Sequence, residues 1–213
     1  KQINMTALNK ILDAIKVKPI VPVLTIYNLN HAVPLADAFA EADINTLEIT
    51  FRSAHAAAAI EKIKTERPEM IIGAGTVISS QNCQTAIDCG SDFVVTPGIT
   101  NELITALSNM PIPAIPGITS VGEAMETLEK GFTHQKLFPA SIAGGTSFLK
   151  SIYAPLPQIN LMPSGGISQK NASDYLCLNN VFCVCGTWMV NKEMVAKESW
   201  GQLANYIKQH ASL

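Results

Sequence analysis

The sequence predicts a single-domain (β/α)8 TIM barrel spanning residues 1–213, with an extra helix ahead of the first strand. Three observations point there. Apolar, β-branched runs alternate with helical stretches in eight strand–helix units, at intervals of about 20–26 residues. Each strand candidate is short and largely apolar, as strands buried on both faces of a parallel sheet are. The first strand ends Ile26-Tyr27-Asn28-Leu29, without the glycine-rich turn that an open, doubly wound sheet carries at that point. Eight units in 213 residues suit a compact closed barrel.

Residues 4–17 place Leu8, Ile11, Leu12 and Ile15 at helical spacing, which gives the leading helix. Ile20 to Tyr27 is the first strand, and the alanine-rich stretch Ala32 to Ala42 the helix after it. Thr46 to Phe51 is a second strand. Ser53 to Arg67 is a helix stopped by Pro68, and Met70 to Val77 is the third strand. Helix Asn82–Cys89, strand Phe93–Thr96, helix Glu102–Leu107 and a short strand Pro113–Ile118 follow. The helix over Ser120–Lys130 opens on the capping box Ser120-x-x-Glu123. Next come a strand through Lys136, helix Thr146–Ile152, strand Ile159–Pro163 and helix Gln169–Leu178. Strand Val181–Cys185 and one long helix, Lys192–Gln209, close the chain. Pro97-Gly98-Ile99-Thr100 recurs as Pro116-Gly117-Ile118-Thr119, and Gly165-Gly166-Ile167-Ser168 is a relative of both. Each stands where a strand gives way to a helix, with glycine for the turn and Thr or Ser for the cap.

Composition narrows the function. Hydrophobic residues make up 47% and charged residues 15%, enough for a sizeable core. A net charge of −2 provides no basic field for nucleic acid. No apolar run is long enough to cross a bilayer, and Lys1 to Lys18 lack a signal-peptide core. Five scattered cysteines, an odd number, predict reduced thiols and the cytoplasm. Cys183 and Cys185 read as small apolar fillers of a buried strand. The histidines His31, His55, His134 and His210 are far apart, with no carboxylate at ligand spacing, so no metal is expected. Neither a Gly-x-Gly-x-x-Gly nor a Walker fingerprint is present, which disfavours nucleotide cofactors. His55 and His210 read as solvated surface residues, and Trp188 either shields a ligand loop or packs.

In this fold the chemistry sits at the C-terminal ends of the strands. Strand two brings Glu48, with Thr50 and Arg52 at two-residue spacing on the same face. Strand three ends in Thr76. Lys136 stands in an otherwise apolar strand, with His134 one layer deeper on the same face. A buried amine must be paired or neutralised, and a neutral lysine is a nucleophile able to form a Schiff base. Burial and a guanidinium nearby favour the neutral amine, Glu48 supplies an acid–base group, and Arg52 can clamp a carboxylate. The plainer alternative is a structural ion-pair triad in the barrel mouth. A second set, Ser164-Gly165-Gly166-Ile167-Ser168 and Gly186-Thr187-Trp188, follows the last two strands, where this fold commonly holds phosphate on backbone N–H groups.

Seven blocks, in order, carry a resemblance: Leu47-Glu48-Ile49-Thr50-Phe51-Arg52, Gly73-Ala74-Gly75-Thr76-Val77, Thr96-Pro97-Gly98, Ile115-Pro116-Gly117, Lys136-Leu137-Phe138-Pro139-Ala140, Pro163-Ser164-Gly165-Gly166-Ile167 and Gly186-Thr187-Trp188. From about Val21 to Val190 the chain resembles the class I 2-keto-3-deoxy-6-phosphogluconate (KDPG) aldolases, members of which often also handle 4-hydroxy-2-oxoglutarate. The resemblance implies a homotrimeric barrel without metal or cofactor, acting on a phosphorylated 2-keto acid through a Schiff base on Lys136. It implies Glu48 as the acid–base residue. Arg52 and Thr76 would meet the pyruvyl carboxylate end, and Pro97 and Phe138 would line the pocket. Ser164, Gly165, Gly166, Gly186 and Thr187 would hold phosphate. Leu137 stands where the family usually has a second Phe. Ser164 and Thr187 exchange the more usual Thr and Ser. Cys185 replaces a common Gly, and Ser141-Ile142 an acidic–small pair. The galactonate stereoisomer as substrate, a phosphosugar isomerase or epimerase, and a phosphometabolite-binding protein are the alternatives that the residues leave open.

Overall fold

The computed structural model describes residues 5–212, so Asn4 of the expected leading helix lies outside the described residues. Helix α1 (Met5–Val17) leads into β1 (Ile20–Leu24). A 3-10 turn at Leu29–His31 then precedes α2 (Ala32–Ala40), β2 (Thr46–Thr50) and α3 (Ala56–Glu66). The alternation continues with β3 (Ile71–Gly75), α4 (Ser80–Asp88), β4 (Phe93–Val95), α5 (Asn101–Ser108) and β5 (Ala114–Ile115). Next are β6 (Gly117–Ile118), α6 (Val121–Glu129), β7 (His134–Leu137), α7 (Gly145–Tyr153) and β8 (Asn160–Pro163). The last elements are α8 (Ala172–Leu176), β9 (Val184–Gly186), α9 (Lys192–Ala196) and α10 (Trp200–His210). The capping box at Ser120 and the Thr100 cap start α6 and α5 as expected, whereas Thr119 and Ser168 cap no helix, Ser120 and Asn171 taking those places. Glu123 N–H donates to Ser120 Oγ at 3.2 Å, and Ser120 N–H donates to Glu123 Oε2 at 2.9 Å.

All strand pairs are parallel, in an α/β fold. One sheet runs β5-β4-β3-β2-β1-β9 and a second β6-β7-β8. The expected strand Pro113–Ile118 is split between the two sheets. Pro116 has no N–H to give the ladder, so β5 ends there, while its carbonyl still accepts from Lys136 N–H at 2.8 Å. Single parallel bridges, Leu161 to Val181 and Ser164 to Cys185, join β8 to the β9 segment.

Alternation of side chains along the strands produces two cores. Ile72, Val94, Leu161 and Val184 face outward and pack under the helices with Phe39, Ile60, Leu149 and Leu203. Their neighbours Ile71, Phe93, Val95, Met162, Cys183 and Cys185 turn inward to a smaller cluster, which Ile11 and Ile15 of α1 join. This double burial is why the strands read as continuous apolar runs. It also seats the two cysteines as apolar fillers, both fully buried.

The long helix expected over Lys192–Gln209 is two helices. Glu198 takes φ +52° and Ser199 N–H reaches back to Met194 O at 2.9 Å. The break is tertiary in origin. It lets Trp200 meet the His31 ring edge-on at 5.3 Å and brings the Glu198 carboxylate to 3.1 Å from His31 Nε2. No described helix is long and apolar enough to cross a membrane.

Candidate active site

Because every strand is parallel, one end of the sheets collects all the C-terminal strand ends, and the polar side chains gather there. Glu48 on β2 and Lys136 on β7 are 88 residues apart in sequence and meet across the interior. Lys136 Nζ donates to Glu48 Oε1 at 3.2 Å and Oε2 at 3.4 Å. Their side chains are only 6% and 1% exposed. Among the described residues Glu48 has no other charged partner. In such a site one carboxylate both compensates the ammonium and stands ready to take its proton. The Phe138 ring centroid lies 5.4 Å from Lys136 Nζ, which gives the cation an aromatic face.

Gly75, the last residue of β3, makes this pairing possible. A Cβ there would lie 2.3 Å from Glu48 Oε1 and 2.6 Å from Glu48 Cγ, so the carboxylate occupies the space a side chain would take. Thr76 follows at φ +57°, a left-handed conformation that costs a β-branched residue about 1–3 kcal/mol. The surrounding fold holds it there, beside the pair.

Among the described residues Arg52 makes no ion pair with Glu48. Its Nε donates to Thr50 Oγ1 at 3.1 Å and its Nη2 to Thr25 Oγ1 at 2.9 Å, and the two hydroxyls share a hydrogen bond at 2.9 Å. Among the described residues Arg52 is held only by these neutral hydroxyls, which leaves its positive charge uncompensated at the rim. Thr25 was missed in the sequence, although it follows β1 as Thr76 follows β3. Thr96, quoted in the Thr96-Pro97-Gly98 block, was given no role of its own. Its hydroxyl donates to Gly98 O at 2.8 Å and accepts from Gly117 N–H at 2.9 Å, which fixes the turn carrying Pro97, itself half-buried.

The glycine loops after β8 and β9 are brought together by the Ser164–Cys185 bridge. Gly165 and Gly166 adopt φ +91° and +79°, conformations suited to glycine. A Cβ on Gly166 would strike Ser141 Oγ at 2.3 Å, so the loop after β7 packs on this one. Among the described residues the amides of Gly166, Ile167 and Thr187 donate to no protein group. Thr187 is exposed, while Ser164 is buried. Trp188 packs: its Nε1 donates to His210 O at 3.0 Å, and its ring fills the space beside Gly186. His210 accordingly is half-buried, stacked on Tyr206 at 3.8 Å, and not the solvated residue expected. His55 is exposed as expected. A cavity of about 480 Å³ opens at this rim, walled by Thr25, Tyr27, Arg52, Thr187, Val190 and Lys192. The Lys136–Glu48 pair is nearly closed on itself and does not form part of that wall.

His134, one layer below Lys136, packs edge-on against Phe182 at 5.1 Å, and burial lowers its pKa. Burial, then the hydrogen bond and charge of Cys185, push the Cys183 thiol well above the usual range. Among the described residues no group of three His, Cys, Asp or Glu side chains is placed to hold a metal ion.

A family model for "Aldolase: KDPG and KHG aldolase" matches residues 11–206. The chain belongs to the KDPG and KHG aldolase family. Among relatives in that family, the 2-dehydro-3-deoxy-phosphogluconate aldolase of Pseudomonas aeruginosa is 42% identical over 184 residues, covering 86% of this chain and 84% of the relative. The KHG/KDPG aldolase of Escherichia coli K12 is 37% identical over 191 residues, 90% of each chain. A solved KDPG aldolase from Legionella pneumophila, with pyruvate captured as a covalent carbinolamine intermediate, superposes with a TM-score of 0.90. It is 39% identical, and the match covers 94% of this chain and 98% of that one.

Proposed function

We propose that this chain is a class I KDPG aldolase, cleaving 2-keto-3-deoxy-6-phosphogluconate to pyruvate and glyceraldehyde 3-phosphate with Lys136 as the Schiff-base residue. The carrying observation is the buried Lys136–Glu48 pair at 3.2 Å, in a chain of this family. Glu48 accepts a proton from the Lys136 ammonium, and the freed amine attacks the C2 ketone. Glu48 returns that proton to the carbinolamine hydroxyl, which leaves as water and gives an iminium; the iminium serves as the electron sink, so no further cofactor is needed. Glu48, through a water, removes the proton of the C4 hydroxyl. The C3–C4 bond breaks, its electrons enter the enamine, and the aldehyde leaves. Glu48 returns a proton to the enamine carbon, and hydrolysis of the iminium frees pyruvate and the amine.

Around that centre Arg52 and Thr76 take the carboxylate end, supported by the uncompensated charge of Arg52 and the held conformation of Thr76. Pro97 and Phe138 line the reacting carbons. Ser164, Gly165, Gly166, Gly186 and Thr187 hold the phosphate, supported by the free amides of Gly166 and Thr187. The gluconate stereoisomer is preferred over the galactonate one because the relatives at 37–42% identity are named for it. 4-Hydroxy-2-oxoglutarate is a second substrate, on the name of the Escherichia coli relative.

The two sheets are read as one closed (β/α)8 barrel, a reading supported by Pro116 standing alone between β5 and β6 and by the two bridges from β8 to the β9 segment. The chain is one domain, since a single outer core runs from Ile20 to Ala211. It acts as a homotrimer, as the resemblance implies, and in the cytoplasm, where its five free cysteines would stay reduced. Borohydride reduction with pyruvate, followed by peptide mass spectrometry, tests the central step. The expected result is a pyruvyl adduct on Lys136. A folded protein that gives no adduct would overturn the reading and favour a non-covalent isomerase or a binding protein.

A further inference from the structure

The cavity wall carries two cations, Arg52 and Lys192, and no carboxylate. That is unusual local chemistry for a chain whose net charge is −2. Some lysines are paired, Lys64 with Asp92 at 2.8 Å and Lys208 with Glu41 at 3.9 Å, and others, like Lys192, are not, but of the unpaired ones Lys192 is the one on the cavity wall. Lys192 is exposed and, among the described residues, has neither an ion pair nor a side-chain hydrogen bond. The carboxylates near it in sequence do not compensate it. Glu198 is turned to His31, and Glu193 does not reach the cavity wall.

The backbone under Lys192 is anchored on both sides. Trp188 is tied to His210 O, and Asn191 Oδ1 accepts from the Glu193 and Met194 amides at 3.0 and 3.1 Å. Lys192 therefore reaches the wall from a fixed origin, five residues after the Thr187 hydroxyl. In the sheet, β2 and β9 flank β1, so Arg52 and the Thr187–Lys192 segment follow strands on either side of the one that leads into Thr25, and they line one cavity with it. Two cations on one cavity wall, with the Thr25 and Thr187 hydroxyls beside them, complement a molecule that is anionic at both ends.

We propose that Lys192 is a specificity-determining residue that reads the terminal phosphate of the substrate at the cavity mouth, while Arg52 reads the carboxylate. This rests on the aldolase reading, with Lys192 lying outside its covalent machinery. The side chain adds a mobile point charge to a loop that otherwise offers neutral amides and hydroxyls. It acts on capture of the dianion and leaves the chemistry at Lys136 alone.

The test compares the unaltered chain with Lys192→Met and Lys192→Glu. Lys192→Met should raise KM for the phosphorylated substrate about two- to fivefold, the scale of an exposed charge contact, and flatten the salt dependence of kcat/KM. KM for the same substrate without its phosphate should not move, and Lys192→Glu should widen the gap. Equal changes for both substrates, or none, would overturn the proposal. Pyruvate trapping by borohydride should be the same in all three proteins. If the unaltered chain itself gave no adduct, the aldolase reading would fail on its own. Titration with inorganic phosphate would then decide about Lys192: weaker binding in Lys192→Met supports it, and equal binding refutes it.

Discussion

The Gly75→Ala substitution tests whether the Lys136–Glu48 geometry is set by the space that β3 leaves. The added methyl would sit 2.3 Å from Glu48 Oε1 and 2.8 Å from its Cδ. Ordinary contact needs about 3.5 Å, so the carboxylate must withdraw by roughly 1 Å. Its present hydrogen bonds to Lys136 are 3.2 and 3.4 Å long, and such a move breaks or redirects both. A displacement of that size at a reacting group costs about 100-fold in rate. Overpacking alone costs about 1–3 kcal/mol. Each kcal/mol lowers Tm by about 2–4 °C in a chain of this length. Gly73→Ala is the matched control, because its methyl would strike the Phe93 ring at 2.3 Å. The assay is kcat for aldol cleavage at a temperature well below both melting points, with Tm measured alongside. Gly75→Ala should lose about 100-fold in kcat and Gly73→Ala far less at a similar Tm. Equal losses in the two variants, or full activity in Gly75→Ala, would refute the argument.

Further expectations follow from the same geometry. Glu48→Gln should still trap pyruvate on Lys136 but lose about 10²–10⁴-fold in kcat, the usual share of a general acid–base group; unchanged turnover would remove Glu48 from that role. His134 has its pKa lowered from 6.5 by burial, so the unfolded chain takes up a proton before the folded one does. Stability should therefore be complete above pH 6.5 and decline as pH falls below it, and in His134→Phe, followed by Tm against pH, that contribution should vanish. Of the five free thiols only Cys177 is exposed, and burial raises the pKa of Cys83, Cys89 and Cys183. A native-state titration with a thiol reagent should read one fast group, and a denatured one all five; rapid loss of several thiols in the native protein would contradict the burial.

Much of the architecture was legible because the signals were local. The run of strands and helices came from apolar spacing, and the start of α6 from four residues of capping chemistry. Pro116 in the middle of a strand carried its own warning, since a residue without an N–H interrupts a ladder wherever it stands. The break at Glu198 carried none. Nothing in Lys197-Glu198-Ser199 stops a helix, and only the contacts of Trp200 and Glu198 with His31, more than 160 residues away, give the turn its reason.

The site divides along the same line. The sequence by itself determined the chemical types: a lysine in an apolar strand, a carboxylate on another, and glycine loops after the last two strands. Those choices follow from burial and from backbone conformation, which each residue carries locally. Tertiary structure alone decided who meets whom. It set Glu48 against Lys136 across 88 residues, gave Arg52 to Thr25 and Thr50 and not to that pair, and made Gly75 the hollow that receives the carboxylate. It also turned Lys192 from one of many surface lysines into a wall of the cavity. Distances of a few ångströms between strands remote in sequence are products of register and sheet curvature, and no local pattern encodes them.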